Sequence, residues 1–118
     1  MKLYPSLMCV DFARLHPEIP ALDATGIAGY HIDIMDGNYV PNFALGSNDI
    51  KATAALSSKE LDIHLMVNNT DQSIRPFLEL PAHRISFKIF FFYFWCFVDH
   101  NNLCTISTEC SERIRLNS

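Results

Sequence analysis

Apolar and polar residues alternate along residues 30–35, a segment that lies between Gly29 and Gly37. A period of two is typical of a β-strand with one buried face, so this segment is predicted to be a strand. The apolar-rich residues 3–8 and 61–67 predict two further strands, and a fourth is predicted to begin within residues 84–87.

Helices are predicted between these strands. One is expected over about residues 17–25, which start with a proline and are followed by a glycine. Ser47 is placed to cap a second helix over residues 48–56. Thr70 is placed to cap a third near residues 71–80. Strand and helix therefore alternate three times with short links, which predicts βαβ units and a parallel sheet.

The composition limits the classes of function. The chain has 118 residues, of which 49% are apolar, and a formal net charge of −4. That length suits one domain, whereas a closed eight-stranded β/α barrel needs roughly 200 residues or more. With nine Lys and Arg against thirteen Asp and Glu, the chain lacks the basic surface of a protein that binds nucleic acid or an acidic membrane. We therefore expect neither as a partner.

The C-terminal part of the chain has a different composition. Eight of the fourteen aromatic residues fall within residues 87–97, a density that suits neither an alternating strand nor a helix with one apolar face. The longest apolar run, residues 89–98, has ten residues, about half of the ~20 that a membrane-spanning helix needs. No secretory signal is recognised at the N-terminus, and the expected location is the cytoplasm.

Three side chains that can bind a metal are predicted to meet at the carboxyl ends of two strands. His31 and Asp33 are two residues apart, so both project from one face of their strand. His64 lies on the next predicted strand, and neighbouring parallel strands bring such residues together where α/β proteins form sites. Two imidazoles and a carboxylate suit one divalent ion of zinc, iron, manganese or cobalt. Such a metal polarises a carbonyl while the carboxylate moves a proton.

Each of these residues also has a purely structural explanation. A histidine within a strand is more often a hydrogen-bonded core residue than a ligand, and the spacing His-x-Asp is not specific by itself. Met35 and Met66 share faces with the polar cluster, yet a buried methionine usually just fills space. Spacing alone leaves a metal centre and a polar core as alternatives.

Three motifs resemble those of the ribulose-phosphate 3-epimerase family. Residues 30–42, YHIDIMDGNYVPN, resemble the family signature. Residues 5–11, PSLMCVD, resemble its first strand and loop, and residues 61–67, LDIHLMV, resemble its third strand. The motifs occur in the order and with the gaps of the family. Within the family, residues 6–9 (SLMC) and 31–37 (HIDIMDG) are most similar to the allulose-6-phosphate 3-epimerase branch.

This resemblance implies an α/β fold, namely the N-terminal portion of a (β/α)8 TIM barrel with about three β/α units. It implies an enzyme that inverts C3 of a phosphorylated ketose such as D-ribulose 5-phosphate through an enediolate, and it implies one divalent metal ion. Asp33 matches one of the family's two acid/base carboxylates. Three of the family's four metal ligands match His31, Asp33 and His64. The positions that match substrate-contacting residues are Ser6, Met35, His64 and Met66.

The resemblance ends near residue 87, so we expect an epimerase-like part over residues 1–87 and a divergent tail over residues 88–118. No segment matches the second acid/base Asp or the glycine-rich loops that hold the substrate phosphate, and the surroundings of Asp99 do not resemble the motif of that Asp. Impaired or absent epimerase activity is therefore expected for this chain.

Two explanations of the tail stay open. It is either translated non-homologous sequence, such as intron read-through, or a tail that binds a membrane surface or a partner. Two other classes of function also stay open, namely a small metal-binding protein of unrelated chemistry and a non-catalytic fragment that pairs with another chain. An open sheet of three β/α units has an unpaired edge, through which copies of the chain would associate or aggregate.

Overall fold

A computed structural model of the protein describes residues 1–88, 95–99, 103–107 and 113–115. The strands are β1 (Gly29–Asp36), β2 (Phe43–Ala44), β3 (Glu60–Met66), β4 (Arg84–Lys88), β5 (Trp95–Asp99), β6 (Leu103–Ser107) and β7 (Arg113–Arg115). The helices are α1 (Leu15–Asp23), α2 (Ser47–Leu56), α3 (Thr70–Ser73) and α4 (Arg75–Leu78). Two short 3₁₀ turns, Leu7–Cys9 and Phe12–Arg14, precede α1.

The strands form one sheet in the order β2-β1-β3-β4-β5-β6-β7, which is linear and therefore open. Strands β1, β3 and β4 are parallel neighbours, and helices connect them in sequence. The expected α/β class with a mostly parallel sheet is thus confirmed in the part that precedes residue 89. The sheet is open, as the sequence also predicted.

The predicted first strand forms only in part. Ser6 makes an isolated parallel bridge with His31, and the His31 N–H donates to the Pro5 carbonyl at 2.9 Å. After Ser6 the chain enters the turn Leu7–Cys9. Pro5 has no N–H to offer a ladder, which limits pairing along this segment. The segment still lies parallel to β1, so it and α1 form the first of three β/α units.

The start of α2 differs by one residue from the prediction. Gly46, rather than Ser47, occupies the N-cap position of this helix. The carboxylate of Asp49 accepts a hydrogen bond from the Gly46 N–H at 2.7 Å, so a side chain inside the first turn satisfies this backbone donor. The predicted end of the helix at Leu56 is confirmed.

The predicted third helix is divided into α3 and α4, which meet at Ile74. Pro76 lies at the start of α4, where its missing N–H is tolerated but would interrupt a continuous helix. Asn69, not Thr70, caps α3, since its side chain accepts a hydrogen bond from the Gln72 N–H at 3.4 Å.

The hydrophobic core lies where alternate residues of the strands meet the helices. Ile32 of β1 and Ile63 of β3 are paired and have no exposed surface, and Ile85 of β4 continues the row. Ile19 of α1 and Ile50 of α2 are fully buried in the same cluster. Full burial of one such side chain stabilises the fold by about 1.5–3 kcal/mol. The period of two in residues 30–35 is therefore explained by this buried face.

Gly29 begins β1 at a crowded position. A Cβ atom there would overlap the backbone carbonyl of Glu60 and lie 2.8 Å from Cε1 of Tyr4. Gly29 pairs directly with Glu60, so the overlap is with the neighbouring strand itself. The missing side chain lets β1 and β3 approach at their amino-terminal ends.

Beyond residue 88 the described strands are antiparallel. β5 pairs with β4, β6 with β5, and β7 with β6. The expectation that the aromatic segment suits no strand is wrong for Trp95–Asp99, whereas residues 89–94 lie outside the described residues. The domain division at residue 87 stays a prediction. Among the described helices, none has the length and apolar character to cross a membrane.

Candidate metal centre

The strand register places polar side chains in rows on one face of the sheet. Asp33 pairs with His64, and His64 pairs with Ser86 of β4. One step further towards the carboxyl ends, Met35 pairs with Met66. Towards the amino ends, the next row crosses four neighbouring segments and consists of Ser6, His31, Asp62 and Arg84. The predicted site residues therefore lie together, because the side chains of a strand alternate between its two faces.

Asp33 lies at the centre of the cluster. Its Oδ1 atom is 3.2 Å from Nε2 of His31 and 3.0 Å from Nδ1 of His64. The two imidazole ring centroids are 5.7 Å apart, and the three side chains are 17–32% exposed. One carboxylate oxygen thus links two histidines that come from different strands.

A second carboxylate, Asp62, contacts the other side of His31. Its Oδ2 atom is 2.9 Å from Nδ1 of His31, and its side chain is 15% exposed. The Asp62 Oδ1 atom lies 3.4 Å from Nε of Arg84. The sequence motifs gave no prediction for Asp62 or Arg84. The signal for Asp62 is its position two residues before His64 on one strand, which becomes informative only when the register with β1 is known.

These contacts control the charge of His31. The hydrogen bond to Asp62 raises the pKa of His31 above its usual value of 6.5, and the charge of Asp33 adds to the rise, while burial opposes it. Both ring nitrogens of His31 face carboxylate oxygens, which only an imidazolium satisfies with two N–H donors. The cluster is therefore arranged around positive charge.

The donor set and spacing fit a divalent metal ion. One donor atom from each of His31, Asp33 and His64 lies within 4.8 Å of the others. Two ligands at about 2.0–2.2 Å from a tetrahedral ion are roughly 3.4 Å apart. The measured contacts of Asp33 Oδ1, at 3.2 and 3.0 Å, are close to that spacing. The three residues can thus hold a metal that suits nitrogen and oxygen ligands, such as zinc, iron, manganese or cobalt.

The other predicted site residues, Met35, Met66 and Ser6, lie next to this cluster in the sheet. Met35 and Met66 are partly buried neighbours, one row beyond Asp33 and His64. Ser6 is a direct neighbour of His31 through its bridge. It also lines a surface cleft of about 400 Å³ against α1, together with Cys9, Glu18 and other residues. His31, Asp33 and His64 do not line that cleft.

Asp36 forms hydrogen bonds with the loop after β1 and with the loop after β3. Its Oδ1 atom accepts hydrogen bonds from the N–H groups of Asn38 and Tyr39, at 2.9 and 2.8 Å. Its Oδ2 atom accepts one from the N–H of Asn68, just after β3, at 2.9 Å. These backbone donors, led by those of Tyr39 and Asn68, hold the pKa of Asp36 below its usual 3.8. The loops after β1 and β3 are therefore fixed to each other by one charged side chain.

We expect the Asp36 contacts to make stability depend on pH in the acid range. Because the folded-state pKa is lowered, the stabilisation is complete above pH 3.8 and is lost as the pH falls through the lower, folded-state value. Urea unfolding of the chain and of Asp36→Asn, from neutral pH to below 3.8, measures this. The difference in unfolding free energy should be largest at neutral pH and should shrink in acid.

Glu60 also has a lowered pKa, through Tyr4 and Lys2, but it is present in both proteins and cancels in the difference. A difference that stays constant over the whole pH range would contradict the assignment of this effect to the Asp36 charge.

Comparison with known proteins gives consistent matches. A family model described as the ribulose-phosphate 3 epimerase family matches residues 2–91. A protein of Cupriavidus necator named ribulose-phosphate 3-epimerase 1 is 41% identical over 87 residues, which cover 74% of this chain and 36% of the relative. Proteins named ribulose-phosphate 3-epimerase from Synechocystis and Bacillus subtilis are 38% and 36% identical, over 72% and 73% of this chain.

These matches cover only part of each relative. The chain spans 36–40% of the length of these three curated relatives. The matched region of the family model contains His31, Asp33, His64, Asp62 and Asp36. The candidate metal centre therefore lies wholly within the part of the chain that is similar to known proteins.

Proposed function

The chain belongs to the ribulose-phosphate 3-epimerase family, and from this we propose that His31, Asp33 and His64 hold one divalent metal ion at a site that transfers a proton at C3 of a phosphorylated ketose. The names of the relatives favour a ribulose phosphate as the substrate, and the sequence resemblance implies ribulose 5-phosphate. Allulose 6-phosphate is the second choice, because the first two sequence motifs resemble that branch.

The observation that carries this proposal is the position of Asp33 Oδ1, at 3.2 Å from His31 and 3.0 Å from His64. The surroundings favour a metal centre over a polar core. The three side chains are partly exposed on one face of the sheet and offer donor atoms within 4.8 Å of one another. Asp33 and His64 lie in the carboxyl halves of two neighbouring parallel strands.

The chemistry divides between the metal and the carboxylate. When bound, the divalent ion acts as a Lewis acid, which stabilises the negative charge that develops on the ketone and hydroxyl oxygens of the ketose. Asp33 removes the proton from C3. Because its Oδ1 atom contacts both histidines, the Oδ2 atom is the one that accepts this proton. A carboxylate on one side of the planar enediolate serves one face, so inversion at C3 needs a second acid on the opposite face.

The neighbouring residues suit contact with the carbon skeleton of a sugar. Met35 and Met66 are paired directly beyond Asp33 and His64, and both are partly buried. Their thioethers offer a polarisable, apolar surface at the side of the site. Ser6 lies beside His31 and offers a hydroxyl for hydrogen bonding to substrate oxygens.

An exchange experiment with the full 118-residue chain tests this proposal. The chain is loaded with Mn²⁺, Co²⁺ or Zn²⁺ in D₂O, and proton NMR follows the C3 hydrogen of ribulose 5-phosphate and, separately, of allulose 6-phosphate. We expect the C3 hydrogen to exchange with solvent without useful formation of the C3 epimer, because Asp33 serves one face. Ribulose without phosphate and a sample treated with chelator are the controls.

Each result of this experiment either supports or contradicts proton transfer by Asp33. Exchange that stops on chelation supports the proposal, and formation of the epimer as well would show that another residue delivers the second proton. A chain that binds the metal but leaves C3 unexchanged would contradict proton transfer by Asp33.

A non-catalytic role through association with another chain is supported by one observation, the open order of the sheet. Within residues 1–88, the N-terminal segment beside β1 forms one isolated bridge, between Ser6 and His31, and such an edge segment is a place where another strand can pair. Sedimentation of the purified chain over a range of concentrations measures this association, and a monomer at all concentrations would contradict self-association.

A further inference from the structure

We propose that Asp62 is a positioning residue for the metal centre: it holds His31 in the tautomer whose free Nε2 faces Asp33 and His64. This inference rests on the metal site proposed above, but one of its tests does not require a metal. Neither the sequence motifs nor the family match assigned any role to Asp62.

The geometry assigns different tasks to the two nitrogens of His31. Asp62 Oδ2 lies 2.9 Å from Nδ1, whereas Asp33 Oδ1 lies 3.2 Å from Nε2. Both nitrogens face carboxylate oxygens, but the Asp62 contact is the shorter one, and Asp33 Oδ1 is shared with His64. When the ring carries a single proton, we therefore assign it to Nδ1, facing Asp62. In the neutral ring this leaves the lone pair on Nε2, the nitrogen that faces the other two candidate ligands.

Asp62 is not itself a member of the ligand set. The donors that converge within 4.8 Å belong to His31, Asp33 and His64. Asp62 instead contacts the far nitrogen of the imidazole, on the side away from Asp33. A carboxylate in that position fixes the ring orientation and raises the basicity of the coordinating nitrogen.

Asp62 contacts Arg84 on the side away from His31, and Arg84 in turn contacts the ring of Tyr4. Its Oδ1 atom is buried, accepts no hydrogen bond from the described residues, and lies 3.4 Å from Nε of Arg84. The Arg84 guanidinium stacks over the Tyr4 ring at 5.5 Å, and the Tyr4 hydroxyl donates to Glu60. With Oδ1 beside the guanidinium of Arg84, the other carboxylate oxygen, Oδ2, faces Nδ1 of His31.

The register explains why these residues meet. His31 is paired with Asp62, and Asp62 is paired with Arg84, across three parallel strands. All three side chains therefore project from the same face at the same level. Holding His31 requires no loop, so its orientation is set by the sheet itself.

Metal affinity provides the first test. The full chain is compared with Asp62→Leu, which removes the acceptor at similar size, and with Asp62→Asn, which keeps an oxygen acceptor. Glu79→Gln is the control, because it removes one charge at an exposed residue outside these contacts. Competition with a chromophoric chelator for Zn²⁺ or Co²⁺ gives the affinities. We expect Asp62→Leu to bind about 10- to 100-fold more weakly, Asp62→Asn to bind with intermediate affinity, and Glu79→Gln to match the parent chain.

The tautomer of His31 provides a test that is independent of the metal, and its decisive measurement needs only the parent chain. Long-range ¹H–¹⁵N NMR above the pKa of His31 reports which nitrogen carries the proton. We expect Nδ1–H in the parent chain and a shift towards Nε2–H in Asp62→Leu, where Asp33 is the remaining acceptor. A parent chain with His31 protonated at Nε2 overturns the inference, even if the Leu variant fails to fold.

The outcomes also separate this inference from the proposed function. A parent chain that binds no metal but shows the Nδ1–H tautomer contradicts the metal centre and retains the role of Asp62 in orienting His31. A parent chain that binds metal with an affinity unchanged in a folded Asp62→Leu variant overturns the positioning role and leaves the metal centre intact.

Discussion

Replacing Asp33 with asparagine should reduce the affinity for a divalent metal by more than roughly 10- to 100-fold, which is the loss typical of mutating a residue that only hydrogen-bonds to a ligand. One oxygen of Asp33 contacts both histidines, at 3.2 and 3.0 Å. The variant keeps the size and one oxygen acceptor but removes the charge that favours a cation between the two imidazoles. Competition with a chromophoric chelator at neutral pH measures the loss, and exchange at C3 of the ketose phosphate should disappear with it.

Glu79→Gln is the matched control for this variant. Glu79 is exposed, and the substitution removes the same charge outside the cluster. We expect it to bind metal as the parent chain does. An Asp33→Asn variant with unchanged metal affinity would show that Asp33 is a structural partner of the two histidines rather than a ligand.

Shortening Ile63 to alanine should have the largest effect on the stability of the fold. Ile63 is fully buried at the middle of β3, between Ile32 of β1 and Ile85 of β4. Removing three carbons from such a site costs about 2–5 kcal/mol of unfolding free energy, since the lost burial and the remaining cavity both destabilise the protein. Urea unfolding followed by circular dichroism measures this cost.

Two controls give a scale for that result. Ile63→Val removes one carbon and should cost about 0.5–1.5 kcal/mol. Leu3→Ala shortens a side chain that is 56% exposed and should change stability by less than about 0.5 kcal/mol. An Ile63→Ala variant no less stable than Ile63→Val would contradict a core centred on this row.

The strands were more predictable than the ends of the helices. Residues 30–35 show a period of two because one face of β1 is buried, and that constraint is visible in the sequence. The start of α2 depends on whether Ser47 or the Asp49 side chain satisfies the first backbone donor, and both residue types can do so. The shortened first strand reflects Pro5, whose effect on pairing depends on the neighbouring strand.

The candidate site likewise has residues that could be predicted from the sequence and residues that could not. The sequence placed His31, Asp33 and His64 together because side chains two apart share a face and successive parallel strands are neighbours. It missed Asp62 and Asp36, whose roles depend on relations between strands. Asp62 needs the register that pairs it with His31, and Asp36 needs the path of the chain that brings Asn68 within 2.9 Å.

The unbroken register between β1 and β3, from Gly29 opposite Glu60 to Met35 opposite Met66, has a consequence for how this sequence can change in length. Inserting or deleting one residue within either strand would exchange its two faces, moving the isoleucines out of the core and the proposed ligands into it. The same event in the turns after Asp36 or Leu56 would leave both sets in place. Tolerated insertions and deletions should therefore be confined to those turns, while the two strands accept only substitutions.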